Sequence, residues 1–323
     1  MLLLAALAAA CLASVAVGAK DVPLADVLRA LGGDRTGDAL TVAELRFPRT
    51  LLGLLVGIAL GAAGTVAQEV TRNPLADPGL LGISAGAAVS VAASIGLFGL
   101  TSPYEYVWSA FAGATAAGVV VYLVGGRGPG ARAPVRLALA GAAVTALLGS
   151  LTYALVLLDV RTLDQYRFWA VGSLAGRDGA LAGQLAPFVL AGLLVAVAVV
   201  PRLNALALGD DVAASLGVRV GRTRLLGAAA VIVLTGAAVA AAGPVTFVGL
   251  VVPLLVRAAT GPDLRWLLPG SALAGAVLLL GSDTLGRVLD RPGEVQAGVV
   301  TALVGAPFLI YLVKRGRLRE TTR

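Results

Sequence analysis

A few charged residues interrupt the long apolar runs of this sequence, and their types and spacing decide what chemistry it could do. Arg46 and Arg49 precede one run, and Asp283 and Arg287 lie near the end of another. On a helix the second pair sits one turn apart, close enough to pair. From the residues alone Arg46 and Arg49 read as solvated charges, and Arg287 as a solvated charge or a partner for Asp283. Asp210-Asp211 stands in the stretch Leu208-Gly-Asp-Asp-Val-Ala-Ala-Ser-Leu-Gly217, where acids suit the positive end of a helix. Val212, Ala213 and Leu216 give that stretch a small apolar face at helical spacing. Asn73-Pro74 and Asp77-Pro78 break the chain twice, because a residue before proline avoids the α region. Asn73 and Asp77 can accept hydrogen bonds from the backbone donors that the breaks free.

Reactive chemistry is largely excluded. The chain has no His and one Cys, Cys11. Histidine metal sites, histidine proton relays and an intramolecular disulfide are ruled out, and Cys11 reads as a small packing residue. No Gly-x-x-x-x-Gly-Lys-Ser/Thr phosphate loop is present. We therefore assign no catalytic residue, no metal site and no cofactor to this chain.

The elements that position these residues are membrane helices. The 323 residues are 58% hydrophobic and 13% charged, with a mean hydropathy of +0.92, whereas a soluble domain carries about 25% charged residues. Apolar runs of about 20 residues suffice to cross a bilayer, and the 42 glycines suit helices whose backbones approach closely. The expected fold is an all-α polytopic membrane protein, a single transmembrane domain over 1–323 with about ten spans. They fall near 1–18, 48–68, 79–98, 105–125, 134–158, 180–200, 223–242, 245–258, 267–285 and 295–313. Residues 1–18 lack the basic start of a cleaved signal peptide and read as a retained first span. Asp26-Val-Leu-Arg-Ala-Leu31 suggests a short amphipathic helix on the surface. Gly53, Gly57 and Gly61 let the second span pack closely, and Gln68 at its end could bond a neighbouring helix. Pro201 is expected to end the sixth span, and Gly243-Pro244 breaks the chain after the seventh.

An even number of spans puts both termini on one side. The basic tail from Lys314 marks that side as cytoplasmic, with Lys and Arg enriched in the inner loops. The pI near 10.2 is thus a topology signal and not a nucleic-acid footprint. Arg49-Thr-Leu-Leu-Gly53 and Arg222-Thr-Arg-Leu-Leu-Gly227 open spans of opposite direction, which suggests an inverted repeat.

The motifs Arg46-Phe-Pro-Arg-Thr-Leu51, Gln68 and Arg72-Asn-Pro-Leu-Ala-Asp-Pro-Gly-Leu-Leu-Gly-Ile-Ser-Ala-Gly86 recur in order with several others. These are Phe168-Trp-Ala-Val-Gly-Ser-Leu174, Leu208–Gly217, Gly243-Pro-Val-Thr-Phe-Val-Gly-Leu-Val-Val-Pro253, Asp283-Thr-Leu-Gly-Arg287 and the stretch 298–307. Over nearly the whole chain this series resembles the membrane permeases of ABC importers for iron–siderophore complexes, haem and vitamin B12. The resemblance implies the ten-span type II importer permease fold in a bacterial inner (cytoplasmic) membrane. It also implies a second permease, identical or related, two ATPase subunits that hold ATP and Mg, and a periplasmic or lipid-anchored binding protein.

The resemblance gives the motif residues roles. Arg46, Arg49 and Arg287 would meet acidic residues on the binding protein. Gly209, Asp210, Asp211, Val212, Ala213, Leu216 and Gly217 would sit in a groove of the ATPase. Gln68, Asn73, Pro74, Asp77, Pro78, Gly243 and Pro244 would be scaffold. Leu254 stands where many relatives have His, and the turn Ala131-Arg-Ala-Pro-Val-Arg136 lacks the gate hydroxyls of the vitamin B12 permease. The missing hydroxyls count against vitamin B12; a ferric siderophore or similar chelate is the leading cargo, with haem or vitamin B12 as the alternative. An ion-coupled secondary transporter is the rival from another class, and the near absence of mid-span ionisable residues counts against it. A membrane receptor or scaffold protein is a further rival, against which the ordered permease motifs count.

Overall fold

Long apolar segments in a bilayer must satisfy their backbone internally, and coiling into helices does this within each segment. The computed structural model describes residues 1–100, 102–125, 133–177 and 179–314. Among them every regular element is helical. In chain order these are α1 (Leu2–Ala16), α2 (Leu24–Leu31) and α3 (Gly37–Thr41), then a π-turn, Val42–Arg46, leading into α4 (Phe47–Thr71). After a 3₁₀ turn at Pro78–Leu81 come α5 (Ile83–Phe98), α6 (Pro103–Gly125), α7 (Ala133–Leu158) and α8 (Val160–Ala170). They are followed by α9 (Gly179–Leu206), α10 (Asp210–Ser215), α11 (Val220–Ala242), α12 (Val248–Thr260), α13 (Leu264–Leu289) and α14 (Ala297–Lys314). Among the described residues six helical segments are long and apolar enough to cross a membrane, and four shorter apolar helices correspond to α1, α5, α12 and α14. Residues 126–132, which hold the basic turn and the start of the turn 131–136, and the tail beyond 314 lie outside the described residues.

The chain stops its helices where the punctuation demands. Pro48 occupies the first turn of α4, where its missing N–H is harmless. Arg72 ends α4 in the left-handed region at φ 47°, and Asn73-Pro74 follows. Gly243, at φ 76°, ends α11 ahead of Pro244. Pro201 does not end α9, which continues to Leu206. The segment at 159–170 is itself a helix, because Asp159 accepts from the amides of Arg161 and Thr162 and caps α8.

α4 and α11 form the centre, with 78% of each apolar window buried, whereas α7 buries 17% of its own. Small residues allow this. A methyl group on Gly57 would lie 2.5 Å from the Cα of Ala276 on α13, and one on Gly64 would lie 1.9 Å from the carbonyl of Gly249 on α12. The backbones meet where no side chain fits. Among the described residues the buried charged side chains, Arg46, Arg49, Arg224, Asp283 and Arg287, all lie within about two turns of an end of α4, α11 or α13.

Candidate functional site

Two polar knots stand at opposite ends of α4, whose 25 residues span about 37 Å at 1.5 Å each. At its N-terminal end Asp283 is central. Arg49 holds it with both Nε, at 3.0 Å to Oδ2 and 3.2 Å to Oδ1, and Nη2, at 2.8 Å to Oδ1. Arg287 donates Nη2 to the same Oδ2 at 2.8 Å, and Arg49 reaches Glu294 at 2.7 Å through Nη1. Arg287 also donates to the carbonyls of Ser14 and Val17 and to Ser14 Oγ. Ser14 Oγ lies 2.7 Å from the hydroxyl of Thr50, while Arg46 donates to the carbonyls of Val15, Ala16 and Lys20. Two cations thus satisfy the carbonyls at the C-terminus of α1, where a helix favours positive charge.

This geometry removes the solvated-charge reading of the three arginines and shows the Asp283–Arg287 pair. Arg46, Arg49 and Arg287 are only 5%, 9% and 1% exposed, because α1, α4 and α13 close around the acid and carbonyls that neutralise them. Above them a recess of about 580 Å³ opens, lined by Arg46, Arg49, Arg177, Arg287, Glu44 and Glu294 among others. Arg177 is half-buried, and its Nε and Nη1 have no partner among the described residues. Sequence reasoning missed Ser14, Thr50, Arg177 and Glu294. Nothing in their local sequence marks them, since their partners lie on distant elements.

At the other end the Pro-broken turn and the polar loop are joined. Arg72 donates to the last carbonyl of α9, Leu206, at 2.8 Å and to Asp210 Oδ1 at 2.5 Å. Arg224 reaches the same oxygen at 3.0 Å. Asp210 therefore bridges α4 and α11 beside its place in the first turn of α10. Asn73 accepts from the Leu75 amide, Asp77 accepts from the Gly79 amide, and Gln68 donates to the carbonyl of Leu250 at 3.1 Å. Gly209 and Gly217 flank α10 at φ 112° and 81°. The expected apolar face divides: Ala213 is fully buried in the chain's own core, while Val212 and Leu216, with Leu208, are exposed. Asp211 is exposed. Nearby, Asp263 caps α13 by accepting from the Arg265 amide and from Asn204 Nδ2. Those two hydrogen bonds, the amide first, hold its carboxyl below the ordinary range.

Between the knots, an apolar cavity of about 440 Å³ lies among Ser84, Thr145, Thr235, Pro244, Phe247 and Leu309. The break at Gly243-Pro244 borders it and rests on α8 and the following turn, since a methyl group on Gly243 would lie 2.3 Å from the carbonyl of Trp169. Leu254, 4% exposed, packs within α12.

The FecCD transport family matches residues 6–315 of this chain. The ferric enterobactin transport system permease protein FepD of Escherichia coli (strain K12) is 47% identical over 304 residues, covering 94% of this chain and 90% of the relative. The Fe(3+)-citrate import system permease protein YfmD of Bacillus subtilis (strain 168) is 40% identical over 305 residues, with 94% and 90% covered. The hemin transport system permease protein HmuU of Yersinia pestis is 40% identical over 296 residues, with 90% and 88% covered. A solved structure assigned to the metal-chelate type of ABC transporter, in an inward-facing conformation, superposes with a TM-score of 0.85 at 28% identity and covers 97% of each chain.

Proposed function

Because the chain belongs to the FecCD transport family, we propose that it carries a ferric siderophore or similar iron chelate through the cell membrane as the permease of an ABC importer. Relatives named for ferric enterobactin and ferric citrate support this cargo. The observation that carries the reading is the location of charge. Among the described residues the five buried charged side chains lie within about two turns of a helix end, which leaves the middle of the bundle apolar. An ion-coupled carrier needs ionisable groups at the midplane, whereas a chelate driven by a separate ATPase needs only a path.

In this reading the four shorter apolar helices join the six longer segments to make ten passes, with both termini in the cytoplasm. The arginine-lined recess faces outward and receives an acidic side chain of a binding protein. There Arg46, Arg49 and Arg287 form a fixed cationic floor, and Arg177 supplies donors that have no partner among the described residues. Val212, Leu216 and Leu208 face the ATPase, which holds ATP and Mg, and the knot of Arg72, Asp210 and Arg224 ties that contact to α4 and α11. The poorly buried α7 faces a second permease copy or a related chain.

Co-expression with an ABC ATPase and a ferric-siderophore-binding protein tests the reading. A stable complex should hydrolyse ATP faster when the loaded binding protein is added. Stimulation by haem-loaded or cobalamin-loaded protein alone would replace the cargo, and sodium- or proton-driven uptake without an ATPase would replace the class.

A further inference from the structure

The C-terminal turn of α9 and the N-terminal turn of α11 enclose a recess of about 300 Å³ lined by Arg202, Arg219 and Arg222, with Val218, Thr223 and Leu226 behind them. It is separate from both knots. Asp210 engages Arg72 and Arg224, and none of the three recess arginines forms an ion pair among the described residues. All three are exposed. Arg202 makes one long contact, 3.4 Å to the carbonyl of Ala198 on its own helix. Three unneutralised guanidiniums around one small concavity call for an anion with several oxygen acceptors, and guanidinium geometry fits phosphate.

What lies beside the recess selects the source of that phosphate. Leu194, Ala198 and Arg202 follow at four-residue steps along α9, so they share one face. All are exposed, as are Leu190 and Val197 on the same helix and Leu225 on α11. An apolar strip within two candidate spans thus runs directly into a cationic cup at their ends. A phospholipid has that shape, with acyl chains along the strip and a phosphate in the cup. Basic pockets between membrane helices at the bilayer surface bind anionic headgroups in this way.

We propose that this recess binds the phosphate headgroup of an anionic phospholipid. The inference rests on α9 and α11 crossing the bilayer and on no claim about cargo. Leu216 and Gly217 line this recess and also belong to the stretch assigned to the ATPase, so a bound lipid would stand beside α10 at the edge of that contact.

The test uses the full chain extracted from vesicles of equal phosphatidylglycerol and phosphatidylcholine, with retained lipid read by native mass spectrometry. The wild-type chain should retain phosphatidylglycerol preferentially. The variant Arg202→Gln/Arg219→Gln/Arg222→Gln should bind it about a hundredfold more weakly, at about fivefold for each arginine near the surface. Arg219→Gln alone should show the fivefold step, which keeps the test decisive if the triple variant misfolds. Equal retention of the two lipids by the wild type, or an unchanged preference in the variants, would overturn the proposal. Inorganic phosphate binding to delipidated protein as tightly as the lipid would reassign the recess to a free anion. A triple variant that keeps its lipid but no longer binds the ATPase would reassign it to that protein.

Discussion

At Asp283 a single carboxylate holds two guanidiniums, and the third arginine of the cluster is held by the end of α1. Removing one member of a buried pair costs about 3–5 kcal/mol, because the remaining charge stays buried and unpaired. Asp283→Asn is therefore expected to lower thermal stability in detergent before any assay of transport. Changing Arg49 or Arg287 to Glu should do the same, so loss of uptake in such variants would not report docking. Arg177→Glu is the cleaner probe. It should weaken capture of the binding protein at low salt, since rim charges mainly set encounter, while the melting temperature of the chain stays within a degree or two. Part of this site was legible beforehand. The four-residue spacing of Asp283 and Arg287 announced their pairing. Its extension to Arg49, 234 positions away, could not be read, because only the packing of α4 on α13 brings them together. Asp263 adds a pH signature. Its folded carboxyl is held below the ordinary range, so its contribution to the start of α13 is full above that range and lost as pH falls through the lowered value. An Asp263→Asn chain should show a smaller loss of stability on the acid side, measured by thermal unfolding between neutral and strongly acidic pH.

The elements follow the punctuation of the sequence where the local signal is strong. α4 starts at its early proline and stops before Asn73-Pro74, and α11 stops at Gly243-Pro244. Two elements depart from expectation. α8 falls between the expected fifth and sixth spans and lies in neither, although an Asp such as Asp159 is a favoured N-cap. α9 passes through Pro201 because its neighbours and loop contacts hold the last turn, including Arg72 on the Leu206 carbonyl. The glycines of α4 make a prediction at this scale. Gly64→Val places carbon atoms inside the backbone of α12, and overpacking of this kind costs about 1–3 kcal/mol or more. Folded yield and melting temperature should fall, whereas Gly149→Val, on the open face of α7 with nothing within 4 Å, should be tolerated. On α10, Leu216→Asp should abolish co-purification of the ATPase, because the side chain is exposed and makes no core contact. Ala213→Asp should instead damage the permease itself, since Ala213 is fully buried.

At the scale of the molecule, α4 links the two knots through the apolar centre. One end carries the arginine-lined recess, and the other ties the Pro-broken turn to α10 through Asp210. In the proposed reading α4 relates a docking event at one end to an ATPase contact at the other through residues 50–68, which carry no charged side chain. Composition and span length made the all-helical membrane class readable, and the ordered motifs made the family readable. The burial of the arginines was not readable, because a charged residue at the end of an apolar run looks the same whether water or a neighbouring helix covers it. The most direct test of the account is uptake of radioactive iron into sealed vesicles holding this chain, an ABC ATPase and a binding protein loaded with ferric siderophore. The account predicts accumulation that requires both internal ATP and the binding protein and that is lost with Leu216→Asp. Accumulation driven by an ion gradient without ATP, or none with any ferric chelate while another cargo enters, would contradict it.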